Sequence, residues 1–136
     1  MTHQAVVVDT NVVSYIHNGH TLAKLYKPHL LGIQTFISFQ TLAEMRYGAK
    51  IKGWNPRRLK DLETVLSGYT VIHTDDALVS RWGTVRVGVQ KLGRHIDAAD
   101  AWIAATALEL EIGLVTHNAR DFQYVDGLVV ITETEV

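Results

Sequence analysis

The chain has no cysteine, only two prolines, and no apolar run long enough to span a bilayer. Without cysteine there is no disulfide and no thiolate chemistry, a composition that suits the cytoplasm. The first residues carry no basic n-region and no apolar h-region, so a secretory leader is not expected. Nor does charge of one sign dominate. Lys and Arg number 13 against 14 Asp and Glu, a formal net charge of −1. A nucleic-acid partner would have to be held by a local patch or a metal ion rather than by a global field. Internal repeats, low-complexity tracts and linkers are absent as well. At 136 residues, 47% of them hydrophobic, one globular domain spanning 1–136 is expected.

What is present begins with Val6-Val7-Val8-Asp9-Thr10-Asn11. Consecutive β-branched residues read as a buried strand. It ends on a carboxylate, and charges are rarely buried unless paired or bound to a metal. Asp9 is therefore either a cap for the next helix, through Thr10 or Asn11, or a functional group. Strands are predicted over 5–9, 35–38, 70–72, 113–116 and 128–132. Helices are predicted over 10–17, 21–26, 40–52, 55–67, 75–92 and 98–111. Pro28 is expected to stop the second, since proline disfavours helical geometry in the residue before it. Leu42, Met45 and Ala49 should form the buried face of the third helix, and Leu59, Leu62, Val65 and Leu66 that of the fourth. Asp97 is expected to cap the last. Short apolar strands alternating with helices give an α/β fold, a parallel sheet covered on both faces. Such sheets place ligand sites at the carboxyl ends of their strands.

Four acids fall at strand ends or helix starts: Asp9, Glu44, Asp100 and Asp121. Each has an ordinary explanation alone. Glu44 suits a solvent-facing helix position, Asp100 a helix N-terminus (worth about 0.3–1 kcal/mol), and Asp121 a turn. Yet Asp100, Ile103, Ala104 and Ala107 share one helical face, which puts this carboxylate at the end of an apolar stripe. Two carboxylates about 4 Å apart repel by roughly 4 kcal/mol at an effective dielectric near 20. A cluster of four thus needs raised pKa values or a cation. Oxygen donors without histidine or cysteine suit Mg2+ or Mn2+. Such ions activate water for phosphodiester hydrolysis, which would leave 5′-phosphate and 3′-hydroxyl ends.

These stretches carry a resemblance. Val6-Val7-Val8-Asp9-Thr10-Asn11 resembles the opening motif of PIN-domain nucleases. Ile37-Ser38 with the stretch from Thr41 through Glu44 to Ala49 resembles their second motif. The stretch from Asp100 to Ala107 resembles the third, and Leu114 to Phe122 with Val125 to Leu128 the fourth. Their order and spacing are similar to VapC toxins of type II toxin–antitoxin modules, over nearly the whole chain. The resemblance implies a PIN-like three-layer fold, with a central, mainly parallel five-stranded sheet flanked by helices. It implies a metal-dependent endoribonuclease acting on RNA, with Mg2+ or Mn2+ held by Asp9 and Asp100 and the site completed by Glu44 and Asp121. It also implies a VapB-type antitoxin and a homodimer. Asn118 stands where some PIN domains carry an acid, so Asn118 and Asp121 both remain candidates for the fourth position.

Thr10, Asn11, Ser38, Thr116 and Asn118 lie beside the acids and could orient them, or could cap helices and turns. The seven histidines show no metal-type spacing. Arg46 and Arg120, nearest the acids in sequence, are candidate phosphate contacts. The apolar side of the helical pair over 40–67 is a candidate antitoxin groove. A catalytically silent module, acting only by binding an antitoxin or nucleic acid, is the competing expectation. A haloacid-dehalogenase-type phosphohydrolase would want a second aspartate where Asn11 stands.

Overall fold

The computed structural model describes residues 4–134. Five strands form one sheet: β1 (Ala5–Val8), β2 (Gln34–Ser38), β3 (Thr70–Ile72), β4 (Gly113–Val115) and β5 (Val130–Ile131). Their order is β3-β2-β1-β4-β5 and every pairing is parallel. Chain order runs outward from β1 in one direction and resumes at β4 on its other side. The switch point, where a crevice opens at the carboxyl ends, therefore lies between β1 and β4.

Six helices cover the sheet: α1 (Thr10–Asn18), α2 (Ala23–Leu30), α3 (Phe39–Ile51), α4 (Pro56–Leu66), α5 (Asp76–Lys91) and α6 (Ala98–Leu110). The pleat sorts the two layers. Val7 and Leu114 point to a core built with α5 and α6, while Val6, Val8 and Val115 point to one built with α1, α3 and α4. Central β1 is buried on both faces, which explains its unbroken valine run. At Gly113 the neighbouring strand approaches closely: a Cβ there would lie 2.9 Å from Ile131 Cδ1, and that side chain would have to shift.

Several sequence expectations are corrected. Helix α2 runs through Pro28. The lost N–H costs one bond, while fully buried Tyr26 anchors the helix; its hydroxyl accepts from Glu133 N–H at 3.2 Å. Leu59 is 38% exposed and Val65 only half-buried, so α4 buries a narrower stripe, Leu62 and Leu66. Asp97 occupies the cap position of α6, but its carboxylate pairs with His95 Nε2 at 2.9 Å and caps nothing. After β4, Ala119–Phe122 forms a 3-10 turn that carries Asp121 and is pinned by buried Phe122. No described helix is long and apolar enough to cross a membrane.

Candidate active site

Asp9 leaves β1 at the switch point, and its N–H donates to Val115 O at 2.9 Å. The residue is 5% exposed. Oδ1 accepts the Thr10 N–H at 2.8 Å, and Oδ2 accepts the Thr116 hydroxyl, from the exit of β4, at 2.7 Å. Thr116 Oγ1 in turn accepts the Asn118 N–H at 3.0 Å. Asp9 holds the N-cap position of α1, yet it bonds the first helical N–H instead of the second or third that a capping carboxylate usually takes. Its geometry is set as much by β4 as by the helix.

Glu44 reaches the same place from α3. The Thr10 hydroxyl donates to Glu44 Oε2, and Gln40 Nε2 donates to Oε1 at 3.1 Å. Buried Thr41 meets Thr10, hydroxyl to hydroxyl, at 3.0 Å. Asp100 arrives from the first turn of α6. Together Asp9, Glu44, Asp100 and Asn118 line a cavity of about 390 Å³, with Lys52 and Trp54 on its wall. Asp100 also borders a neighbouring cavity of about 220 Å³, which contains Asp121 and Arg120.

Burial raises the pKa of Asp9; the bonds from Thr116 and Thr10 oppose that, and Glu44 and Asp121 add to it. Asp100 is pushed up to about 7, first by burial and then by the charges of Asp9, Asp121, Asp97 and Glu44. Among the described residues none of Asp9, Glu44 or Asp100 is ion-paired with a cationic side chain. Nor do three Asp, Glu or His side chains converge closely enough to enclose an ion. The residues fit a hard cation held by one or two carboxylates with water filling its other positions, as Mg2+ commonly is. They do not form an all-protein cage.

The other predicted residues divide. Asn11 lines the acid cavity, and its Oδ1 accepts the His117 N–H at 3.4 Å. Ser38 caps α3, accepting the Gln40 N–H at 3.1 Å. Asn118 borders the acid cavity, whereas Asp121 lies exposed in the next one. Arg46 is turned away from the acids and clasped by Glu63 of α4, Nη2 to Oε1, at 2.7 Å. His117 is held among aromatics, its Nδ1 bonded to the Tyr26 hydroxyl. Sequence reasoning missed Gln40, Thr41 and Trp54. Gln40 and Glu44 stand four apart on a helix, a spacing that could have flagged the pair. Nothing local signals Trp54.

The PIN domain model matches residues 6–128. A parallel sheet whose switch point gathers these acids is thus a PIN domain, and the chain belongs to that family. Ribonuclease VapC5 of Mycobacterium tuberculosis is 31% identical over 129 residues, 93% of this chain and 91% of that one. The tRNA(fMet)-specific endonuclease VapC of Shigella flexneri is 29% identical over 122 residues, 90% of this chain and 92% of that one. A toxin–antitoxin complex from Klebsiella pneumoniae contains a chain with TM-score 0.78 and 26% identity, covering 96% of this chain and 99% of that one. Within the PIN family, the chain is one of the VapC ribonucleases.

Proposed function

We propose that this chain is a divalent-metal-dependent endoribonuclease, the toxin of a VapB–VapC-type pair in the cytoplasm, working as a homodimer of single-domain chains. The observation that carries the chemistry is the cavity at the β1–β4 switch point. It gathers Asp9, Glu44 and Asp100, with no cationic partner among the described residues, and raises the pKa of two of them. Asp9 and Asp100 would hold Mg2+ or Mn2+, with Glu44 and either Asn118 or Asp121 completing the site. Such an ion, when bound, lowers the pKa of water and neutralises charge on phosphoryl oxygens. The chain's own residues do the positioning. Thr116 and Thr10 fix both oxygens of Asp9, and Thr10 and Gln40 hold Glu44 in one rotamer. The cleft walls bring the scissile phosphate against carboxylates already in place.

Purified protein should cut RNA in Mg2+ and stop in EDTA, with cutting restored by added ion. Cleavage that persists in EDTA would end this proposal. Comparing Asp121→Asn with Asn118→Ala assigns the fourth position to whichever loses more activity. The VapB-type partner is assigned to the apolar cleft between α3 and α4, about 380 Å³ and lined by Ala49, Trp54, Leu59 and Leu62. Exposed Tyr47 and Ile51 lie beside it on α3. Cross-links from an antitoxin that avoid both helices would refute that placement. The silent-module alternative requires wild-type protein to bind RNA or antitoxin without cutting.

A further inference from the structure

The two cavities that meet at Asp100 have matching walls. On one side Trp54 lines the acid cavity, stacks on the His17 ring (centroids 5.4 Å apart) and carries a guanidinium: Arg58 Cζ lies 4.0 Å from its ring centroid, with Lys52 Nζ at 5.6 Å. On the other side Arg94 Cζ lies 4.8 Å from the Tyr124 ring centroid, and both line the second cavity with Arg120. Lys52, Arg58, Arg94 and Arg120 are exposed. In a chain of net charge −1, these are local cationic surfaces placed against the acids.

We propose that single-stranded RNA crosses the acid edge between two arginine-on-aromatic stations, Arg58–Trp54 and Arg94–Tyr124, with Asp100 between them. This deepens the endoribonuclease proposal and rests on it. An aromatic ring with a guanidinium over it offers both things an unpaired nucleotide needs. The exposed guanidinium plane, backed by the ring, stacks a base whatever its identity, and its charge meets the phosphate. Stacking also fixes the guanidinium plane, so little side-chain freedom is lost on binding. Acids alone would repel the strand; a cationic station on each side draws the phosphates in and leaves the intervening one over Asp9 and Asp100. A protein partner explains the stations less well. Trp54 also faces the α3–α4 cleft, but Arg94 and Tyr124 border a different cavity, with no residue of that cleft on its wall.

The test measures affinity of the purified full-length chain for a fluorescein-labelled, mixed-sequence single-stranded oligoribonucleotide, in EDTA and across a salt series. Trp54→Leu and Tyr124→Leu should each weaken binding roughly ten-fold. Arg58→Gln and Arg94→Gln should each reduce the slope of log affinity against log salt by about 0.7. In Mg2+ all four variants should raise KM for RNA cleavage more than they change kcat. The glutamine variants sit at exposed positions, so the salt slope decides the matter even if a leucine variant fails to fold. Affinity and slope unchanged in the variants overturn the track, whether those residues serve another protein or only the fold. Loss confined to one station overturns a two-sided path. A wild-type chain that neither binds nor cuts RNA sinks the function together with the track. A wild type that cuts RNA, with variants indistinguishable from it, sinks the track alone.

Discussion

At the carboxyl ends of the strands, Asp9, Glu44 and Asp100 share a cavity of about 390 Å³ with no cationic partner among the described residues. At the amino ends, a larger cavity of about 630 Å³ is bordered by Arg81, whose Nε lies 2.6 Å from Glu109 Oε1. One helix supplies an acid to each end. Helix α6 starts at the carboxyl edge with Asp100 and finishes at the amino edge with Glu109. An acid is favoured by the helix dipole at the first place and disfavoured at the second. Yet the disfavoured one is neutralised by Arg81, and the favoured one has its pKa pushed up to about 7 by burial and then by the other acids around it. Cavity size does not separate the two ends; the gathering of several acids does, and gathered acids are what a cation-using site needs.

The sharpest break in that contrast comes from removing charge at each end. Asp9→Asn or Asp100→Asn should lower RNA cleavage roughly 100- to 1,000-fold or more while the fold survives. Arg81→Gln should leave cleavage near wild type and cost at most about 1 kcal/mol, because the pair is part-exposed. Turnover assays with thermal melts read both, and equal losses at the two ends would erase the distinction. A smaller effect is expected from Thr116→Val, which removes one of the two donors to Asp9 while keeping the side chain's shape. Activity or Mg2+ affinity should fall about 10- to 100-fold. An unchanged Mg2+ titration would show that Asp9 does not depend on β4 for its orientation.

The next prediction concerns pH. Asp100 titrates near 7 in the folded protein against an ordinary carboxylate value of 3.8. Its folded pKa is raised, so its stabilising contribution is full below about pH 4 and is lost as pH rises toward 7. In EDTA the melting temperature should therefore fall over that window. After discounting for solvent screening the loss is on the order of 1–2 kcal/mol, roughly 3–7 °C. Mg2+ should restore it above pH 7, and Asp100→Asn should flatten the profile. A melting temperature that rises from pH 4 to 7 in EDTA would contradict the crowding of these acids. The smallest effect lies at the quiet end. Glu111 closes α6 with φ +56°, a left-handed conformation that glycine adopts without strain. Glu111→Gly should stabilise by roughly 0.5–1 kcal/mol with no change in cleavage.

Local pattern carried far in this chain. The helix cap at Asn55, the helix start at Ala98 and the strand over Thr70–Ile72 all stand where composition and periodicity put them. The departures share a cause. Pro28 stays inside a helix because Tyr26 is anchored to Glu133, 107 residues on. Arg46 turns from the acids because Glu63, on another helix, offers two oxygens. The acids themselves were legible, but not which hydroxyls hold them.

The sequence by itself determined that a buried valine strand ends on Asp9, that Asp100 opens a helix and that Glu44 lies within another, because helix and strand periods are local properties of the chain. Only the tertiary structure decided that Thr116 grips Asp9, that Thr10 reaches Glu44, and that Trp54 and Tyr124 flank the acids on either side of Asp100. Those meetings depend on strand order and on which helix covers which face. The order β3-β2-β1-β4-β5 is set by long-range burial, and no window of residues spells it out.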